Sequence, residues 1–549
     1  MKKKTIWALG AVFASLFLFL GSQCKEKFEE TTYQPVDPVF RVYVALGDSI
    51  TQGVMSGDAN YFTQTLGLYP ELLAQQMQTF MYTPLMVLDD PSTNKFRRIS
   101  PTLRGNNLGV SGMSVALLLP VLTTKVANVD PEDFKTEFDA VMAPLGKQTY
   151  DPSTGNFLDT TAVVAALSWK PTFVTIWLGN NDALGAVANT ITDKDLDKLT
   201  ALGGAIVYKN LGFPYSAQLD DNDPRGDTFK PINRMSTQAN FQAAYQQLLG
   251  AFATSSTAPK MVVGNIPNVT DVAFMMSFEE VKTFFERYAG VSRTELDTAW
   301  GTTGFGGNAG ATAPFDIVLV ALGVFKDQKS KGKSNIEALL AVCGGRAVGD
   351  TTHPLLGGQP NVGLLDWDAN HLDDGERTTL DNRIDTLNGV IDAVAASFGA
   401  VVVNVNQIFK NITANGADVV DAQGNVISTF QGLPIRKLSR IYPGAGDPTS
   451  TDGSKTNGGL FSLDGFHPGP TSHAIIANSF IDAINANKAT LGIGVSLNKV
   501  SVFQAWLQDP FVDHDLDGYV AGMFFTKSST QIGEQIILRD SDDTNPNVR

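Results

Sequence analysis

From Phe40 the chain reads "FRVYVAL", apolar at nearly every position, and then breaks at Gly47-Asp48-Ser49. An apolar run of this length, rich in β-branched and aromatic residues and closed by turn residues, predicts a strand buried on both faces. "YPELLAQQMQTF" from Tyr69 instead spaces its apolar residues at threes and fours behind Pro70, which predicts a helix. The alternation continues. "NNLGVSG" (106–112) reads as a strand end before the helix-like "MSVALLLPVL", and "PTFVTIWLG" from Pro171 and "KMVVGNIPN" from Lys260 read as further strands. In "RTTLDNRIDTLNGVIDAVAASFG", Leu380, Ile384, Leu387, Ile391 and Val394 keep helical spacing up to Gly399, and the strand-like "AVVVNVNQIF" follows. Alternation of this kind predicts an α/β protein: a parallel, doubly wound sheet between two helical layers, a three-layer α/β/α sandwich.

Two regions depart from the pattern. About 277–370, with "GTTGFGGNAG", a lysine cluster near Lys326 to Lys333 and "GGQPNVG", reads as an irregular insertion over the edge or mouth of the sheet. Its apolar leading stretch "FMMSFEEVKTFF" could line an acyl-chain site or could be packing alone. At the amino end, Lys2, Lys3 and Lys4 precede an apolar run from Ile6 to Leu20, the form of an export signal and short for a membrane span. The implied organisation is a signal at 1–23, a polar tether at 24–39, a main domain at 40–498 and a C-terminal appendage at 499–549.

Composition narrows the class. With 43% hydrophobic and 18% charged residues among 549, the chain has the balance of a globular protein. The formal charge is -15, and loss of residues 1–23, with three lysines and no acid, takes it to -18. Nucleic acid and anionic surfaces are therefore poor partners, and neutral substrates fit better. Only Cys24 and Cys343 are present, and if Cys24 carries a lipid then Cys343 has no partner and no disulfide framework supports the fold.

The candidate chemistry gathers at strand ends. Ser49 closes the first strand, "NLGVSG" puts small residues where a backbone N–H can approach a ligand, "LGNNDAL" (178–184) ends a strand in amides, and "FSLDGFHPG" (461–469) sets Asp464 three residues before His467. A serine hydroxyl needs a base to take its proton, and the base needs an acid to hold its tautomer. His467 and Asp464 can fill those roles. The oxyanion that forms needs preorganised donors, for which the N–H groups of Ser49 and Gly109 and the Asn181 amide are candidates. Singly, Gly109 could serve a turn, Asn181 could cap a helix, and Asp464 with His467 could form a polar turn. All of these at strand ends of one sheet point to a catalytic site. His473, on the helix expected from near Thr471, reads as a surface residue.

These blocks resemble the GDSL or SGNH hydrolases: Ser49 in "GDSIT", Gly109 in "NLGVSG", Asn181 in "GNND" and His467 in "DGFH", in family order, with Ile50 where the family name has Leu. The resemblance extends over most of 40–491 outside the insertion. It implies the flavodoxin-like SGNH sandwich, with Ser49 as nucleophile, His467 as base, Asp464 as orienting acid, and Ser49, Gly109 and Asn181 around the oxyanion. It also implies an ester substrate, such as a lipid or another acyl ester, and no catalytic cofactor. The amino terminus, with Cys24 after "LGSQ", resembles a bacterial lipoprotein signal. That implies cleavage before Cys24, a lipid on its sulfur and a place on the membrane of the cell envelope; ordinary cleavage to a secreted or periplasmic form with a spare thiol is the alternative. A surface lipoprotein that binds a ligand on an idle hydrolase fold is a second functional reading.

Other signals are weaker. No G-x-S-x-G elbow occurs, and "GKS" at Gly332 has Asp327 where a phosphate loop needs glycine. "DHDLDGY" places Asp513, Asp515, Asp517 and Tyr519 at the alternate spacing of the first half of a calcium loop, with Phe524 where the bidentate glutamate would stand. A structural calcium and a solvated acidic turn are the two readings of it.

Overall fold

The computed structural model describes residues 34–56, 61–90, 95–100, 103–115, 141–142, 150–151, 156–157, 161–189, 215–216, 232, 235–302, 304–305, 308, 310–343, 365, 371–443, 445–446, 458–517 and 520–521. The expected export signal, Cys24, most of the expected tether, "MSVALLLPVL" beyond Val115, Tyr519 and the end of the chain from 522 lie outside the described residues.

The principal elements, in chain order, are β1 (Tyr43–Gly47), α1 (Ser49–Gln52), α2 (Tyr69–Met77), β2 (Asn107–Gly109), α3 (Ala162–Leu167), β3 (Phe173–Trp177), α4 (Asn180–Leu184), α5 (Gln238–Ala253) and β4 (Lys260–Gly264). Then follow β5 (Met275–Ser277), α6 (Phe278–Ala289), α7 (Arg293–Trp300), β6 (Thr312–Pro314), α8 (Phe315–Ser330), α9 (Asn335–Leu340), α10 (Asp374–Ser397), β7 (Val401–Val403), α11 (Val405–Asn415), α12 (Pro470–Ala486) and α13 (Val502–Trp506). The central sheet runs β7-β4-β3-β1-β2 with every neighbour parallel. Helices α3, α5 and α10 pack on one side; α2 and α12 pack together on the other. This is the three-layer α/β sandwich that the alternation predicts.

Residue type explains the strands. All five residues of β1 and all five of β3 are buried, as strands covered on both faces require. Register then aligns their carboxyl ends: Gly47 pairs with Gly109 on one side and Trp177 on the other, and Gly264 pairs with Trp177 and Val403. Whatever follows these residues meets along one edge of the sheet. Strand order reverses at β1, between β2 and β3, which is where open α/β sheets form their crevice.

Two expectations need correction. The stretch from Ser277 is not irregular where it is described: β5 pairs antiparallel with β6, and four helices follow. Three of them begin with reciprocal capping boxes, Ser277 with Glu280, Ser292 with Glu295 and Ser334 with Glu337. Phe274, Met275, Met276, Phe284 and Phe285 are fully buried, and Phe285 packs edge-on against Trp300 at 4.9 Å and Phe325 at 6.1 Å. The apolar stretch is thus packing, continuous with the core of the sheet. Residues after 499 are likewise no appendage where described. Val502, Trp506, Phe511 and Val512 are buried, α13 packs on α12, and Val500 exchanges backbone bonds with the Asn478 side chain.

His473 is also misplaced by the sequence reading. It is fully buried on the inner side of α12, its ring parallel to that of Tyr69, and its Nδ1 accepts the Tyr69 N–H at 3.2 Å. Its neighbours along α12, Ala474, Ile476 and Ala477, are apolar and buried, so the inward face simply continues through it. Burial, and secondarily the charge of His467, push its pKa down to about 3. A histidine whose folded pKa lies below its unfolded 6.5 contributes stability that is present above about 6.5 and lost as pH falls toward 3. The expected loss is on the order of 5 kcal/mol across that window. Denaturant titrations of His473→Gln at several pH values should accordingly show a shallower acid limb than wild type.

Candidate active site

Ser49 sits at the first turn beyond β1. Asp48 is extended and its Oδ1 accepts the Ile50 N–H at 3.0 Å, capping α1, while Gly53 closes that helix in a left-handed conformation with φ 96°. The cap turns the chain sharply enough to leave Ser49 just past the sheet edge. Asp48 Oδ2 accepts Asn180 Nδ2 at 2.8 Å, tying the turn after β1 to the turn after β3. Burial pushes the Asp48 carboxyl up to about 6, against these hydrogen bonds.

His467 reaches the same edge from the far end of the chain. Its Nε2 lies 2.9 Å from Ser49 Oγ, and its Nδ1 lies 2.8 Å from Asp464 Oδ2. The second Asp464 oxygen accepts the Phe466 and His467 N–H groups, each at 2.9 Å. Burial raises the Asp464 pKa, but the charge of His467 and its hydrogen bonds, with the two N–H donors, outweigh it and hold the carboxyl below its ordinary value. Asp464 is therefore an ionised, fully buried acceptor for the imidazole, whereas the His467 side chain keeps 12% of its surface in solvent.

The Asp464–His467 loop is held from several sides. Phe274 N–H donates to Gly465 O at 3.0 Å, Phe274 stacks on Phe466 at 4.1 Å, and Tyr442 Oη donates to Leu463 O at 2.6 Å. Phe274, just before the insertion, and Tyr442, beyond it, thus buttress this loop. Beyond it, Gly469 offers α12 no side-chain cap, and Asp509 supplies one by accepting Thr471 N–H at 2.9 Å. Gly465 has φ 72°, and a Cβ there would lie 2.7 Å from Phe274 N. Gly465→Ala is expected to cost about 2 kcal/mol or more in denaturant unfolding, because both the left-handed backbone and the contact with the Phe274 backbone oppose a side chain.

Of the three predicted oxyanion donors, the Gly109 N–H is already engaged, whereas the Ser49 N–H and one Asn181 N–H are left without an acceptor among the described residues. Asn181 Nδ2 donates to Met113 O at 3.0 Å, which puts the amide beside the turn after β2 with a second N–H still available. Gly109 is a correction. Its N–H is accepted by Asn107 Oδ1 at 3.1 Å, and a Cβ on it would fall 2.3 Å from Gln52 N. It is glycine so that β2 can press against α1. Sequence reasoning passes over Gly112, three residues on in the same block, which is exposed with φ 74° and has open space out to 4 Å where a Cβ would stand. Among the described residues, no acceptor meets the N–H of Ser49 or of Gly112. The second glycine of "NLGVSG" is the signal for it.

Residues 43–204 match the GDSL-like Lipase/Acylhydrolase family. The GDSL match covers β1 to β3 and with them Ser49, Gly112 and Asn181, and it stops well before Asp464 and His467. It agrees with the parallel sheet in assigning the SGNH hydrolase fold. No curated protein matches the chain.

Asp513, Asp515 and Asp517 bring one oxygen each to within 4.8 Å of one another, a spacing that could hold a cation. Asp513 and Asp515 are buried beside α13.

Proposed function

We propose that the protein is a serine ester hydrolase acting through an acyl-enzyme on Ser49. The observation that carries this reading is the continuous line Ser49 Oγ to His467 Nε2, 2.9 Å, and His467 Nδ1 to Asp464 Oδ2, 2.8 Å, at the crevice edge of a GDSL-like fold. Ser49 Oγ attacks the ester carbonyl as its proton passes to His467 Nε2, and ionised Asp464 stabilises the imidazolium and holds its tautomer. The carbonyl oxygen takes the negative charge and is met by the Ser49 N–H, the Asn181 amide and the Gly112 N–H. When the C–O bond to the leaving group breaks, His467 returns its proton to the departing alkoxide. Water, deprotonated by the same imidazole, then attacks the acyl-serine and regenerates the hydroxyl.

Cleavage of residues 1–23 with lipid on Cys24 would station this chemistry at the cell envelope, next to acyl esters of lipids. The test is hydrolysis of p-nitrophenyl esters from acetate to palmitate by the purified protein. A preference for the longer chains supports a lipid ester, a preference for acetate supports a small-acyl esterase, and absence of turnover across the series would reject the reading.

A further inference from the structure

The reaction outlined above makes no use of Ser56 or Ser462, yet these two serines join the segment that carries the nucleophile to the loop that carries its base. Ser56 lies beyond the Gly53 cap of α1, with φ 52°, a left-handed conformation that serine seldom adopts and that persists where the surroundings over-determine it. Its N–H donates to Ser462 Oγ at 2.8 Å, and its own Oγ accepts the Leu463 N–H at 3.1 Å. Both residues are fully buried. A hydroxyl that accepts from Ser56 still has one proton to give. For Ser462 the acceptors within reach are His467 O at 3.1 Å and Asp464 Oδ1 at 3.3 Å, and the His467 carbonyl also receives the Ser462 N–H at 2.8 Å.

Ser49 and His467 stand 418 residues apart in sequence, so no local chain geometry sets their separation. It is set by contacts between the two loops. We propose that Ser56 and Ser462 are positioning residues: their reciprocal hydrogen bonds, buried away from water, fix the distance between Ser49 Oγ and His467 Nε2. The inference rests on the ester hydrolase reading and names two further residues on which its rate depends. Neither serine touches the substrate. Each hydroxyl holds the backbone of the other's loop, Ser462 Oγ by accepting the Ser56 N–H and Ser56 Oγ by accepting the Leu463 N–H.

The test compares wild type, Ser49→Ala, Ser462→Ala and Ser56→Gly in steady-state hydrolysis of p-nitrophenyl butyrate, with melting temperatures measured alongside. Ser462→Ala and Ser56→Gly are each expected to lower kcat about 10- to 100-fold while KM stays within about threefold, since a drift of about 1 Å at the reacting groups costs that much. Ser56→Gly is the decisive variant, because glycine accepts φ 52° without strain and keeps the N–H that donates to Ser462 Oγ, so it removes the Ser56 hydroxyl alone and should stay folded while losing rate. Wild-type kcat in folded Ser56→Gly or Ser462→Ala would overturn the inference, as would a loss confined to KM or one that merely follows a fall in melting temperature. A wild-type protein no more active than Ser49→Ala would overturn the hydrolase reading itself, and the positioning role with it.

Discussion

Ser49→Ala is expected to reduce ester turnover by about 10⁴-fold or more, to the level left by oxyanion donors and binding alone. The loss would be chemical, because in the proposed mechanism the covalent step begins at Ser49 Oγ. It should leave the fold intact. The Oγ is engaged by His467 Nε2, which remains tethered to Asp464, and the α1 cap is made by the Asp48 side chain rather than by Ser49. The check is turnover at saturating ester with the melting temperature of each protein. A variant that retains more than a few per cent of wild-type turnover would remove Ser49 from its role.

Asp464→Asn is expected to lower kcat by about 10⁴-fold with a much smaller change in KM. An asparagine can still accept the Phe466 and His467 N–H groups through its oxygen, so the loop keeps those two bonds, each 2.9 Å in the native protein. What it places opposite His467 Nδ1 is an amide N–H. That donor selects the tautomer with hydrogen on Nε2, the nitrogen that must accept the Ser49 proton, and no negative charge remains to stabilise the imidazolium. The native carboxyl is held below its ordinary pKa by the charge of His467 and by its N–H donors, against burial. Kinetics of Asp464→Asn across pH, beside its denaturant stability, separate this loss from unfolding.

Much of this architecture can be read from residue order alone. Strands β1, β3 and β4 follow from unbroken apolar runs ended by glycine, and α10 follows from Leu380, Ile384, Leu387, Ile391 and Val394 at helical spacing before Gly399. The candidate triad follows from chemistry, since Asp464 and His467 lie in one short turn and Ser49 closes a strand.

What escapes a reading of the sequence depends on long-range contact. Asp509 caps α12 from beyond its far end, and nothing near Thr471 announces the partner. The sequence reading makes residues after 499 an appendage, although Trp506 and Phe511 pack inward. Residue type alone sends His473 to the surface, where the apolar positions around it turn it inward. Between Gly109 and Gly112 no periodicity decides which N–H is free; the Asn107 side chain and the pressure of α1 decide it. The insertion is a different case, for its S-x-x-E starts at Ser277, Ser292 and Ser334 stand in the sequence, obscured by the glycine-rich segments between them.

The most direct test of the serine mechanism is to react the protein with a fluorophosphonate and locate the adduct by mass spectrometry of its peptides. One phosphonylated residue is expected, Ser49, with labelling abolished in Ser49→Ala and strongly slowed in His467→Ala. Absence of label in folded protein, or label on another serine that survives Ser49→Ala, would contradict the mechanism.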